Sequence, residues 1–186
     1  AHILLTVRPL NENGTWHDQT WIYDPVPDFT YGFNVYLEYK NFDFTAFFQG
    51  VQGVDIISDL KKETDIWAGL NIGNLNKGHR LLNAWCVDNP SSNIPAVTLS
   101  DNNNEKRVST YWVENGSYLK LRTIQLGYNL PQNIVSKLSM QRLRMYVSAQ
   151  NLFTIKSSSF TGVDPENPNY GYPIPLNITF GLNVTF

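Results

Sequence analysis

The chain has 186 residues, a formal net charge of −2, 13% aromatic and only 16% charged residues, against roughly 25% charged in a typical soluble domain. That balance offers neither a basic face for nucleic acid nor an acidic disordered tail. Its one cysteine, Cys86, excludes an internal disulfide and a cysteine-based metal cluster. No apolar run reaches the roughly 18 residues of a membrane helix, yet a membrane barrel stays open because its apolar residues alternate with polar ones. The sequence begins at Ala1 with neither an initiator Met nor a signal peptide, as expected for a mature product or a piece of a longer protein.

In chain order, Ile3 to Val7 is a short apolar run and a candidate sixth strand. Over 30–40, Tyr31, Phe33, Val35, Leu37 and Tyr39 alternate with Gly32, Asn34, Tyr36, Glu38 and Lys40. A tight turn around Lys40 to Asp43 leads into 42–51, where Phe42, Phe44, Ala46, Phe48 and Gly50 face away from Asp43, Thr45 and Gln49. A very long link, 52–116, follows. The next strand, 117–130, is irregular: Ile124, Leu126, Tyr128 and Leu130 share a face, while strict alternation puts Leu119 and Leu121 on the other. A bulge or a change of environment along the strand accounts for that. Pro131 and the Ile134/Leu138 pair predict one or two helical turns before 142–154, where Leu143, Met145, Val147 and Ala149 alternate with polar residues. After a moderate link, 155–173, the strand 174–186 closes the chain with Leu176, Ile178, Phe180, Leu182, Val184 and Phe186 on one face. Period-two alternation of this kind marks strands.

The chain reads as all-β, an antiparallel transmembrane β-barrel segment with long extracellular loops. Ordinary strands average about 5–6 residues; ten residues tilted by roughly 45° span about 23 Å, close to the lipid-facing band of an outer-membrane barrel. The polar face carries Arg142, Arg144, Gln150, Asn177 and Asn183, as a watery lumen allows, and the other face only apolar groups or glycine. Long and short connections alternate, the asymmetry of extracellular loops and periplasmic turns. With the C-terminus in the periplasm, 52–116 and 155–173 both lie outside the cell. Five strands, six with Ile3–Val7, fall short of the minimum of about eight, so the remaining wall must come from elsewhere. Residues 1–29 then lead into a barrel segment over 30–186.

Several stretches in one order are familiar: Pro27-Asp28-Phe29-Thr30-Tyr31-Gly32-Phe33-Asn34, then Phe47-Phe48-Gln49-Gly50-Val51-Gln52-Gly53, Asn83-Ala84-Trp85, Asn89-Pro90 and Ile94-Pro95. Val113 to Leu121, Leu126-Gly127-Tyr128-Asn129-Leu130-Pro131, Tyr146 to Thr154 and Phe180-Gly181-Leu182-Asn183-Val184-Thr185-Phe186 complete the series. In these the chain resembles the C-terminal part of the SusC/RagA family, the TonB-dependent outer-membrane transporters of Bacteroidetes. The resemblance implies a barrel of about 22 strands with a plugged lumen, of which this chain supplies about the last five or six. It further implies a SusD-like surface lipoprotein, the TonB system acting through an N-terminal part, and import of oligosaccharide, with peptide as the alternative cargo. Asn11 to Gly14 lacks the acidic spacing of the family's turn there, so no calcium site is carried onto it, and Cys86 stands where a small polar residue is usual.

Phe186, preceded by Phe180, Leu182 and Val184 at alternate positions, resembles the terminal signal read by the barrel-assembly machinery. An edge strand of this kind can pair with an insertase while its apolar face enters lipid; the bland alternative is a core strand that happens to end in Phe. Trp67, Trp85, Tyr111 and Trp112, among Asn102, Asn103 and Asn104, are candidate loop contacts for cargo or a partner, with packing as the alternative role. Tyr170 and Tyr172 suit interfacial anchors. The sequence points away from enzyme chemistry and from a resident cofactor. His2, His17 and His79 have no metal-ligand spacing, and Asp55, Asp59, Asp101, Asp164 and Glu166 define no catalytic pair. Nucleophile elbow, phosphate loop and dinucleotide fingerprint are all missing. The rival readings are a soluble secreted β-domain that binds carbohydrate through its aromatics, and a glycan hydrolase.

Overall fold

The computed structural model describes residues 4–6, 19–21, 23–65, 77–97, 109–168 and 172–186. Its strands are β1 (Leu4–Thr6), β2 (Gln19–Trp21), β3 (Phe29–Tyr39), β4 (Phe42–Gln52), β5 (Asp55–Ile57), β6 (Val113–Asn115), β7 (Tyr118–Asn129), β8 (Arg142–Lys156) and β9 (Asn177–Thr185). Two short helices, α1 (Asp59–Asp65) and α2 (Gln132–Val135), and three 3₁₀ turns complete the set. No helix among the described residues is long and apolar enough to cross a membrane. The chain divides into two compact units, one holding the long strands and the other the connections and the N-terminal region.

In the strand unit, β3-β4-β7-β8-β9 form one five-stranded sheet, antiparallel throughout and in chain order. Lys40 and Asn41 make the β3–β4 turn, with Tyr39 opposite Phe42 and Lys40 at φ +56°. Asn41 ties that turn to β7: its amide Nδ2 donates to the Asn129 carbonyl and its own carbonyl accepts the Asn129 N–H, each at 2.8 Å. The β7–β8 connection holds α2 directly after Pro131, then a 3₁₀ turn that ends at Ser139 in the left-handed region, φ +54°. These are the helical turns that Pro131 and Ile134 predict. Both long connections leave the sheet at the end opposite these two turns.

Cross-strand register sorts every side chain to a face. One face carries Phe33, Val35 and Leu37 of β3, Phe44, Ala46 and Phe48 of β4, Leu126 of β7, Val147 of β8 and Phe180 and Leu182 of β9, all paired across neighbouring strands. The irregular strand resolves as a bulge. Phe47 stands opposite Thr123 and Phe48 opposite Leu121, so Arg122 is left over in β7. On the other side Thr123 meets Gln150 and Leu121 meets Phe153, so Asn151 and Leu152 of β8 fall outside the ladder. Asn151 turns there with φ +56°, a conformation that asparagine tolerates better than most residues. The shift returns Leu119 and Leu121 to the apolar face. Strict alternation would have put them with the polar residues.

Most of that face is uncovered: Phe180 is 81% exposed, Leu182 66% and Phe186 78%, while Ala46 and Leu121 near its middle are buried. Fully burying one large apolar side chain stabilises by about 1.5–3 kcal/mol, and soluble monomers rarely expose apolar patches beyond a few hundred Å². An apolar sheet face of this extent belongs in lipid or against a partner. The outer edges of β3 and β9 have no strand beside them among the described residues, and an unpaired edge cannot stand in lipid. The sheet is therefore a portion of a wall.

The last strand and the candidate sixth strand depart from their predicted places for physical reasons. Strand 174–186 begins its ladder only at Asn177, since Pro173 and Pro175 have no N–H to donate. The candidate sixth strand fails to join the sheet: Leu4–Thr6 pairs with Gln19–Trp21 in a separate two-stranded ribbon. Three paired residues reach only about 10 Å at 3.3 Å each, too short for a wall strand.

The connection unit is more structured than the single long loop expected over 52–116. β5 pairs with β6, Asp55 opposite Asn115 and Ile57 opposite Val113. Trp112, 1% exposed, packs with Ile57 and Tyr111. Ser58 starts α1 by accepting the Lys61 N–H on its Oγ (3.2 Å), the usual N-cap bond.

Candidate functional site

The polar face holds every charge of the five long strands. Glu38, Asp43, Lys120, Arg144, Arg142 and Lys156 reach it through the register, and Arg122, the bulge residue, turns to it by donating Nε–H to Gln49 Oε1 at 2.8 Å. The excess is cationic, with two carboxylates against Lys120, Arg122, Arg142, Arg144 and Lys156. At the short-turn end, the Arg144 guanidinium of β8 grips the Asp43 carboxylate of β4 with two N–H groups, Nε to Oδ2 at 2.9 Å. The pair crosses β7 at Gly127, where a Cβ would collide with both partners. Such bidentate, charge-assisted pairs are the strong ones. Replacing Gly127 with Ala is expected to force the pair apart and destabilise the folded receptor by about 1–3 kcal/mol, read as a lower denaturant midpoint in detergent or vesicles.

The connection unit is organised around two buried carboxylates. Asp65, whose side chain is fully buried, takes Arg80 Nη2–H at 2.9 Å and the Tyr111 hydroxyl at 2.7 Å. Burial, and then the Asp65 carboxylate beside it, push the Tyr111 hydroxyl well above its ordinary pKa, so it remains a donor. Glu114, equally buried, pairs with Lys61 Nζ at 3.1 Å and accepts both the N–H (2.9 Å) and the hydroxyl (2.6 Å) of Thr161. Lys61 joins the two groups, donating to the Tyr111 carbonyl at 3.0 Å and lying over its ring. Lys61 and Asp65 are four apart on α1 and so point to one side of it. Segments 58–65, 79–83, 110–114 and 161 are pinned by this network.

No family model matches the chain. Individual proteins do. Over 91% of its length it is 37% identical to the TonB-dependent receptor P3 of Formosa agariphila, and over 95% it is 28% identical to the TonB-dependent receptor SusC of Bacteroides thetaiotaomicron. Its structure resembles that of the RagAB peptide importer in the closed-closed state, with a TM-score of 0.74, 27% identity and 95% of this chain covered. The chain belongs to the SusC/RagA-like TonB-dependent receptors. It spans 17% of the length of P3 and of SusC and 20% of the matched RagAB chain.

In this receptor segment the residues singled out by sequence are scattered. Phe180, Leu182 and Val184 lie on the apolar face of β9, and Phe186 follows directly, its side chain exposed. Trp85 is 46% exposed in a loop where its N–H bonds the Ile94 carbonyl at 2.9 Å. Tyr111 and Trp112 meet edge to face, 5.1 Å between ring centres, with Tyr111 in the carboxylate network and Trp112 in the unit's core. Tyr172 is almost fully exposed, and Cys86 is an exposed free thiol. Trp67, Asn102 to Asn104, Tyr170, His2, His17, Asp101 and the turn Asn11–Gly14 fall outside the described residues. Asp55 bonds the Asp24 N–H at 3.2 Å, and Asp164 takes the Glu166 N–H at 3.0 Å; both serve loop shape. Sequence reasoning missed the Lys61–Glu114–Asp65–Arg80 network. The i, i+4 spacing of Lys61 and Asp65 was the available signal, but their partners lie 15 to 53 residues away in sequence.

Proposed function

We propose that the chain is the C-terminal barrel segment of a TonB-dependent outer-membrane nutrient importer. The observation that carries this reading is a sheet of five strands, 9 to 15 residues long, with a continuous, mostly exposed apolar face and every strand charge on the other. The apolar face suits lipid and the polar face a hydrated lumen. The long connections then lie outside the cell and the C-terminus in the periplasm. Partners in this reading are the plug and the remaining strands of the receptor, the TonB system, a SusD-like surface lipoprotein and the barrel-assembly machinery. The segment does no covalent chemistry of its own.

The cargo is an oligosaccharide, bound in part by aromatic loop groups such as Trp85, whose exposed ring is free to stack on a sugar. Peptide is the second reading, favoured by the similarity to RagAB, a peptide importer. The test is uptake of labelled oligosaccharides and peptides by cells carrying the whole receptor, with and without TonB. TonB-dependent entry of oligosaccharide is the expected result. Entry of peptide alone would overturn the cargo, and recovery of the intact protein as a soluble secreted species would overturn the importer. Deleting Phe186 is expected to lower receptor abundance in the outer membrane severalfold, measured by quantitative blotting of membrane fractions.

A further inference from the structure

We infer that Arg142 is a preformed receptor for a carboxylate on a part of the receptor lying outside this chain, and that this contact holds that part against the inner wall. The inference rests on the reading above, in which the polar face lines the lumen. Arg142 opens β8 at the short-turn end of that face, opposite Thr185 of β9. Its guanidinium is fixed from one side only: Nε and Nη2 both donate to Asn129 Oδ1, at 3.1 and 2.9 Å.

Asn129 is anchored at its backbone and steadied at its side chain. Its backbone is locked to Asn41 by two 2.8 Å hydrogen bonds, and its Nδ2 leans on Asp43 Oδ2 at 3.4 Å. That orientation sets its carbonyl toward Arg142. The neighbouring carboxylate offers no alternative, because Arg144 grips both oxygens of Asp43. Arg142 is thus an exposed cation whose hydrogen-bond partner is a neutral amide; it feels the Asp43 carboxylate only from beyond ion-pair distance and makes no ion pair among the described residues. With Nε and one Nη2 proton engaged, the Nη1–Nη2 edge, which matches a carboxylate in bidentate geometry, remains open. Fixing the cation in advance removes much of the ordering cost of binding.

The occupant follows from charge and chain length. The face carries more cations than carboxylates, so it calls for negative charge. The chain spans only 17–20% of its relatives, so most of what faces this wall is receptor outside it. The site also lies at the end of the sheet from which the long connections do not depart.

The experiment uses the full-length receptor purified in detergent, with R142Q, R142E and R142K, and follows native-state protease nicking, thermal melting and cargo affinity at low and high salt. R142Q and R142E are expected to raise the rate of nicking outside this segment by about tenfold, the scale of one charge-assisted contact. R142K should retain part of the protection. High salt should narrow the gap between wild type and R142Q. In the R142E background, a scan converting acidic residues outside the chain to Lys should find one that restores protection. Loss of affinity for an anionic cargo with nicking and melting unchanged would assign the site to cargo and overturn the inference, as would variants that match wild type in every readout. Failure of the importer reading is distinguishable, since the wild-type receptor itself would then show no membrane insertion or uptake.

Discussion

Glu114→Ala in the intact receptor is expected to loosen the connection unit by about 3–5 kcal/mol, the range for stripping one partner from a buried ion pair. Glu114 is fully buried and Lys61 retains 14% side-chain exposure, so the substitution leaves a mostly desolvated ammonium with only the Tyr111 carbonyl and ring. It also strands the part-buried N–H of Thr161 and leaves that residue's hydroxyl only the Ser58 hydroxyl at 3.5 Å, and a donor left without its acceptor adds up to about 1–3 kcal/mol. Glu114→Gln keeps an acceptor for Thr161 and loses only the charge, so its cost should be the smaller of the two. Protease susceptibility within 54–116 and 158–168, compared between the two variants, checks both the size and the order. Equal stability of Glu114→Ala and wild type would show that the network does not hold the unit together.

A charge on the apolar face tests the wall directly. Leu126 and Gln125 are chain neighbours at the same depth, but Leu126 pairs with Phe44 and Val147 and Gln125 with Thr45 and Ser148. Leu126→Arg, near the short-turn end of the sheet, is expected to cost about 1–4 kcal/mol in a bilayer, the range for arginine between the interface and the midplane of a barrel's lipid face. Gln125→Arg should be tolerated within roughly 0.5 kcal/mol, as surface substitutions usually are. The comparison is a refolding titration of the whole receptor into lipid vesicles. A soluble sandwich would give a different result: Leu126→Arg would disrupt its core as much in detergent-free buffer as in lipid.

The wall was largely legible from alternation. Phe33, Val35 and Leu37, or Ile178, Phe180 and Leu182, announce their faces by position alone, because a strand's side-chain period of two leaves no other arrangement. Proline placed the short helix after Pro131, while Pro173 and Pro175 trimmed the last strand by a rule that alternation ignores. The bulge was only half legible. Leu119 and Leu121 showed that something must slip, but the slip needs Asn151 of the next strand to adopt a left-handed turn, and pairing between strands is invisible in either strand alone. The loop network was the least legible. Lys61, Arg80, Glu114 and Thr161 look like ordinary solvated polar residues, and only tertiary folding buries two carboxylates among them. Trp112 carried the opposite ambiguity: a loop tryptophan suits a ligand or a core, and in this fold it packs in the core of its unit.

The slipped register at Arg122 and Asn151 has a bearing on recombination. The lower and upper parts of β7 and β8 are out of phase with each other, and the offset is held jointly by two neighbouring strands. A chimera that grafts another receptor's 53–117 connection onto this wall can cut anywhere above Leu119 without altering which side any strand residue faces. A crossover placed between the bulged position of one strand and that of its neighbour would join two incompatible phases and point one set of leucines into water. Exchange of these long connections among receptors of this kind is therefore confined to joints lying wholly on one side of the slip, and the slip marks where loop can be shuffled independently of wall.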